Sequence, residues 1–280
     1  MHKKVKLAGI SLLAGLIFVS CCFPALLRAQ QQDDMETTAP SDTQTHQAFP
    51  SETPEPESQA TTQAYTIQLI DRRIFVEGDE PRYEVDGVWP NLEGPETLVA
   101  AFNAESDGLI GIIKENFLLD VTDGQGVMEG KGEPPLNYLT FDYDLTYSDQ
   151  RLFSFLLTFD QYIAMSAHPF PFSQALNYDA WNGVFLSLED LFLPGTDYFN
   201  EIGSLLDPVL DEKGFGYQVG TAADVMLAQE NWNLLTEGLR INFDVYEVAP
   251  YAAGPQFILI PWGDLAGILD TNGPAAGFIE

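Results

Sequence analysis

Side chains able to do covalent or metal chemistry are scarce in this chain. Three histidines (His2, His46, His168) and two cysteines (Cys21, Cys22) are the whole supply in 280 residues. Only His168 lies where the composition can fold. A zinc site draws on several histidine or thiolate ligands, so metal-assisted hydrolysis is not expected and no metal or cofactor is assigned. A Ser-His-Asp triad would have to recruit His168. Its neighbours Ser166 and Ser173 sit in no Gly-x-Ser-x-Gly elbow, and the simpler reading makes His168 a strand-end residue bonded to backbone. The glycines of residues 124–132 follow no clear strand and open no clear helix, unlike a dinucleotide-binding loop. Asp120, Asp123 and Glu129 lack the spacing of an EF-hand. Carboxylates are abundant, with 42 Asp and Glu. Asp142 and Asp144 share a strand face, and Glu189 adjoins Asp190. Glycan hydrolysis needs two carboxyls set across a substrate with separated pKa values, and among so many acids pairs arise by chance. A non-catalytic protein is therefore expected, with an acid-pair glycan-active enzyme as the alternative.

Recognition chemistry is better supplied. Residues 246–254 read Tyr-Glu-Val-Ala-Pro-Tyr-Ala-Ala-Gly. Pro250 has a fixed φ and no amide hydrogen, and Gly254 permits a tight return. Together they could present Tyr251 rigidly at a loop tip, where an amphipathic ring is a good anchor in a partner's cleft. Tyr251 could equally be a turn residue bonded to backbone under the sheet. Residues 168–172, His-Pro-Phe-Pro-Phe, form a second stiff apolar loop that could sit beside the first or cap the core. The candidate binding residues are Tyr246, Glu247, Pro250, Tyr251, Gly254 and His168.

These loops need a scaffold. Residues 65–76 alternate as a strand, with Tyr65, Ile67 and Leu69 on one face, and 82–89 read as a second strand ended by Pro90-Asn91. Residues 95–117 have the best helical spacing, although Gly108 and Gly111 weaken its middle. Residues 138–147 and 152–163 form a hairpin around Ser148-Asp149-Gln150. Residues 175–185 read as a strand or hairpin, 188–192 as a helical turn, and 197–213 and 221–231 as helices. Residues 233–235 and 239–246 pair across Thr236-Glu237-Gly238, 257–260 form a last strand, and 262–269 a last helical turn. Antiparallel runs with inserted helices predict an α+β fold. It is expected as two intimate subdomains, 64–175 and 176–280, or as one domain.

The N-terminus has a different composition. A basic start at Met1-His2-Lys3-Lys4-Val5-Lys6 and an apolar run to about Leu27 read as an export leader over residues 1–29. Cleavage after Ala29 would free the protein. A lipoprotein box at Phe18-Val19-Ser20-Cys21 would leave Cys21 lipidated. An uncleaved helix is a third possibility, since ~20 apolar residues span a bilayer. Residues 30–63 contain no Leu, Ile or Val and cannot bury enough apolar area to fold. As a flexible tether they reach about 30–35 Å. With four of the 12 Lys and Arg in the leader, eight remain against 42 acids, a formal charge of −34 beyond it. Such a surface repels nucleic acid and anionic lipid and attracts cationic partners, although solubility alone also explains it. Membrane contact is expected only through the leader or its lipid.

Residues 246–254 resemble the signature of the RsiV-type extracellular domain, a family of lysozyme-sensing anti-sigma factor ectodomains that also includes the non-catalytic region of PdaC-type peptidoglycan deacetylases. Three further segments are similar to it: Val88-Trp89-Pro90-Asn91-Leu92 with Phe102-Asn103, then 152–155 through Ala167-His168-Pro169, then Asn177-Tyr178-Asp179 through 183–192. With only a handful of residues before the apolar leader, a sigma-binding segment is not expected, nor is a deacetylase domain with its metal-binding Asp and His residues. The resemblance implies a stand-alone binding module of the cell envelope, secreted or lipid-anchored, whose ligand is a lysozyme-like basic protein or a peptidoglycan fragment. A scaffold for envelope partners is a further reading.

Overall fold

A computed structural model of the protein describes residues 66–124, 135–215 and 231–278. The fold is α+β. Six strands form one sheet in chain order, β1 (Gln68–Asp79), β2 (Arg82–Glu93), β3 (Asn137–Ser148), β4 (Leu152–Tyr162), β5 (Phe170–Asp179) and β6 (Val184–Phe185). Three more, β7 (Trp232–Leu234), β8 (Gly238–Phe243) and β9 (Gln256–Pro261), form a second sheet. Among the described residues the α-helices are α1 (Glu96–Gly124), α2 (Tyr198–Glu212) and the single turn α3 (Trp262–Leu265). The leader, the tether, the glycines of 125–132 and the helix expected at 221–231 lie outside the described residues.

Most expected elements are present, and the differences have local causes. Strand β2 continues through Pro90-Asn91, where the sequence suggested a stop. Its pairing with β3 ends at Gly87, so beyond that point β1 is the only described strand that pairs with it. A proline is tolerated where no neighbouring strand needs its missing N–H. On that side α1 takes over: the Ser106 hydroxyl donates to the Pro90 carbonyl at 2.7 Å, and Asn103 bonds both backbone groups of Leu92. Helix α1 is longer than its periodicity suggested, and its two mid-helix glycines face open space. The β2–β3 pair is parallel, with α1 as its crossover, and among the described residues it is the one parallel junction in otherwise antiparallel sheets. A parallel pair cannot be closed by a tight turn and needs such a connection.

Strand β4 is buried along Leu152-Phe153-Ser154-Phe155-Leu156-Leu157, as a strand covered on both faces must be. Alternation sends Phe153, Phe155, Leu157 and Phe159 into one core with Val99, Phe102, Ile110, Phe117 and Val121, which line one stripe of α1. Leu152 joins a second core built from β7–β9, α2 and α3, including Trp232, Leu206, Ile241 and Trp262. Between Leu152 and Leu156 on that face, Ser154 makes a polar joint. Its hydroxyl donates to Asn177 Oδ1 at 2.6 Å and accepts from Asn233 Nδ2 and the Leu234 amide at 3.0 Å. Asn177 then donates to the Trp232 carbonyl at 2.7 Å. The sheets are thus registered by buried amides whose partners are all fixed, which makes this joint specific in geometry.

Candidate functional site

The chain leaves β8 at Phe243 and reaches β9 at Gln256 through residues 244–255. Val245, Val248 and Ala249 are buried and pin this loop to the body, leaving Tyr246 and Pro250 on its exposed side. Asp244 and Glu247 close its first turn: the Asp244 amide donates to Glu247 Oε2 at 2.7 Å. Gly254 has φ +71 and turns the chain back, while Gln256 donates to the carbonyls of Ala253 and Gly254 at 3.1 Å. Tyr246 has φ +73, a left-handed conformation that a bulky side chain rarely adopts and that costs on the order of 1–3 kcal/mol.

The second stiff loop lies against the first. The His168 ring stacks on Tyr251, with centroids 3.8 Å apart and planes 26° from parallel. The Tyr251 hydroxyl donates to the Pro169 carbonyl at 2.8 Å. His168 Nδ1 lies 2.8 Å from that same carbonyl and Nε2 lies 3.1 Å from the Tyr246 hydroxyl. A carbonyl only accepts, so Nδ1 bears a proton and donates to it, and Nε2 is left to share the hydrogen bond with the Tyr246 hydroxyl. All six candidates lie in this loop pair, with Tyr251 as the brace and Tyr246 as the exposed ring at 46% accessibility. Glu247 acts within the turn.

Several neighbours had no sequence signal. Tyr138 and Tyr162, opposite each other on β3 and β4, stack at 5.7 Å beside Asp160. Burial, then Asp160, then the nearby rings of Tyr162 and Tyr251 hold the Tyr138 hydroxyl's pKa above its usual value. Phe170 and Met165 extend the exposed apolar surface of this second loop. Beneath, Asp244 accepts from the Ser173 amide at 3.0 Å and the Ser173 hydroxyl at 2.7 Å. Burial raises its pKa more than those bonds lower it. Only tertiary pairing places Tyr138 and Asp160 here, so spacing along the chain could not have found them.

The reactive groups weighed earlier are engaged elsewhere. Ser166 donates to the Ile163 carbonyl and to the backbone carbonyl of His168, and Ser173 donates to Asp244, so each hydroxyl is engaged away from the His168 ring. Asp142 and Asp144 are exposed. The Asp190 carboxylate accepts from the Ser187 amide at 2.7 Å and closes the 3-10 turn Leu188–Leu191. Among the described residues no group of three or more His, Cys, Asp and Glu is placed to hold a metal ion, and no helix is long and apolar enough to cross a membrane.

Residues 189–263 match the family model described as a protein of unknown function, DUF3298. That segment contains the 246–254 loop and β7–β9, and it stops short of His168. The architecture is similar to that of a DUF3298 family protein from Pseudomonas aeruginosa PAO1, with 17% identity and a TM-score of 0.52 over 75% of this chain and 96% of that one. It is also similar to a DUF3298 family member from Bacteroides fragilis, with 21% identity and a TM-score of 0.53 over 77% and 97%. Those likenesses establish the shared fold. No curated protein matches the chain.

Proposed function

We propose that the protein is a non-catalytic binding module of the cell envelope, exported or lipid-anchored at Cys21, that uses the paired loops as a rigid aromatic platform for a lysozyme-like basic protein. One observation carries the reading: the His168–Tyr251 stack locks two proline-stiffened loops together while leaving Tyr246, Pro250 and Phe170 exposed. A pre-organised surface of this kind loses little entropy on binding. An exposed tyrosine held at positive φ also fits the tendency of backbone strain to collect at binding sites. The surplus of acids, 42 against 12 basic residues, favours encounter with a cationic partner. The resemblance to RsiV-type ectodomains supplies the ligand class. A peptidoglycan fragment, whose sugars stack on aromatic rings, is the second ligand the same platform fits.

Tyr246→Gly tests the platform without unfolding it. Glycine adopts positive φ freely, so relieved strain offsets the lost bond to His168 and stability stays within about 1 kcal/mol of the parent. Binding to lysozyme should fall by more than ~2 kcal/mol, as for a truncated anchor. Undiminished binding by this stably folded variant would remove the platform from the account.

A further inference from the structure

Strand β1 is the free edge of the six-stranded sheet: β2 pairs with all 12 of its residues, and no described strand bonds its outer side. It is exposed on both faces, with Leu69 at 36%, Ile70 at 38%, Phe75 at 61% and Val76 at 37% accessibility. A long apolar edge with unmet backbone groups is a template for another strand. We propose that β1 pairs antiparallel with β1 of a second copy of this chain, in the register that sets Arg72 opposite itself.

The register follows from symmetry and sequence. A two-fold axis between antiparallel edge strands keeps each sheet face on its own side, so some residue must face its own copy. Residues 69–75 read Leu-Ile-Asp-Arg-Arg-Ile-Phe, nearly a palindrome about Arg72. Centred there, Asp71 faces Arg73 twice, Ile70 faces Ile74 twice and Leu69 faces Phe75 twice. Leu69, Asp71, Arg73 and Phe75 share one face, and Ile70, Arg72 and Ile74 the other. Centring on Asp71 instead would set Asp71 against itself and Arg73 against Leu69. Centring on Arg73 would set Arg73 against itself and Asp71 against Phe75. Opposed pairs of opposite charge or matched apolar character stabilise a sheet, and opposed like charges do the reverse, so the Arg72 register is selected.

Charge also permits the contact. The whole chain is at −30, but residues 68–76 hold one acid, Asp71, and two bases, Arg72 and Arg73. The centre of the edge thus carries a local surplus of one positive charge, which lowers the repulsion between two such acidic molecules there. Arg73 and Asp71, 70% and 48% exposed, are bonded within the strand at 3.2 Å through Asp71 Oδ2, while Asp71 Oδ1 accepts from the Tyr143 hydroxyl at 2.6 Å. In the dimer Asp71 keeps Tyr143 on Oδ1 and exchanges its own Arg73 for that of the partner copy on Oδ2. A single strand pair buries less than a standard interface of about 1,600 Å², so the dimer is transient unless tethering concentrates it. The His168 loop opens β5, four strands away from β1 in the sheet, so both platforms stay open and the dimer is bivalent.

Sedimentation equilibrium of residues 30–280, up to about 100 µM, reads the self-association directly, since a transient dimer dissociates in the micromolar range. The intact chain should dimerise. Asp71→Arg alone and Arg73→Asp alone should each weaken association ~10-fold or more, because each sets like charges opposite at two positions. Mixed together they should form a heterodimer, since Arg at 71 and 73 on one chain then faces Asp at 71 and 73 on the other. Arg72→Thr removes the one like-charge opposition and should tighten the dimer ~2–5-fold. A parent that stays monomeric at that concentration would overturn the proposal. So would charge variants that associate as tightly as the parent, or folded variants that fail to pair on mixing.

Discussion

Arg151→Met probes the buried charge beside the Trp181 loop. Asp179 is 1% exposed on its side chain, and Arg151 reaches it with Nε at 3.0 Å and a terminal nitrogen at 2.8 Å while staying 32% exposed itself. Three more donors converge on the carboxylate: the Trp181 amide at 3.0 Å, the Asn182 amide at 3.2 Å and Asn182 Nδ2 at 2.8 Å. Methionine preserves the aliphatic stem and removes both charge-assisted bonds. Breaking a buried pair costs about 3–5 kcal/mol. Here the three remaining donors and the partial exposure of Arg151 lower that to about 2–3 kcal/mol. Urea unfolding at neutral pH measures it. Burial pulls the Asp179 pKa up, but the Arg151 and Asn182 bonds outweigh it and hold the value below the ordinary carboxylate range. The ionised form is thus favoured on folding. Its stabilisation is complete above an unfolded pKa of about 4 and is lost as pH falls through the folded value. The Arg151→Met deficit should therefore shrink toward pH ~3. A deficit below about 0.5 kcal/mol, or one unchanged by acid, would refute the assignment of a compensated buried charge.

Other sites give independent outcomes. Ser154→Ala strips Asn177 Oδ1 of its donor and the Leu234 amide of its acceptor between the two sheets. It should cost about 2–3 kcal/mol in chemical unfolding, against near-neutrality if water replaces the hydroxyl. Asp244 has the opposite sign from Asp179: its folded pKa is raised by burial, so it costs stability as pH rises from about 4 through the folded value. Asp244→Asn should abolish that part of the decline, and an unchanged pH slope would contradict it. Gly238→Ala drives a methyl into the backbone carbonyl of Ile260 on the adjoining β9. It should lower stability by more than ~2 kcal/mol, whereas a soluble variant with the parent midpoint would show that the strands can part at little cost.

Local pattern foretold the elements it controls. The 152–157 apolar run, the 197–213 helix and the β7–β9 turns lie near their expected places because alternation, helical spacing and turn residues act over a few positions. The extension of β2 through Pro90 was hidden, since a proline's effect depends on whether a third strand needs its amide. The paired loops were half legible. Stiffness was readable in Pro169, Pro171 and Pro250, but the contact of His168 with Tyr251 spans 83 positions and was only one of two options. The Asn177-Tyr178-Asp179 block, noticed for its resemblance, does structural work: Asn177 joins the sheets, Tyr178 donates to the Leu98 carbonyl at 2.9 Å, and Asp179 holds Arg151.

The central claim is best tested by binding of residues 30–280 to a panel of lysozymes and to soluble peptidoglycan fragments, at low salt and near 1 M salt, beside Tyr246→Gly. Exposed charges are screened beyond ~3 Å at the higher salt, so indiscriminate attraction to this acidic chain disappears there. Lysozyme binding should persist at high salt and be lost in Tyr246→Gly. Binding that vanishes with salt, or that Tyr246→Gly retains, would contradict that claim.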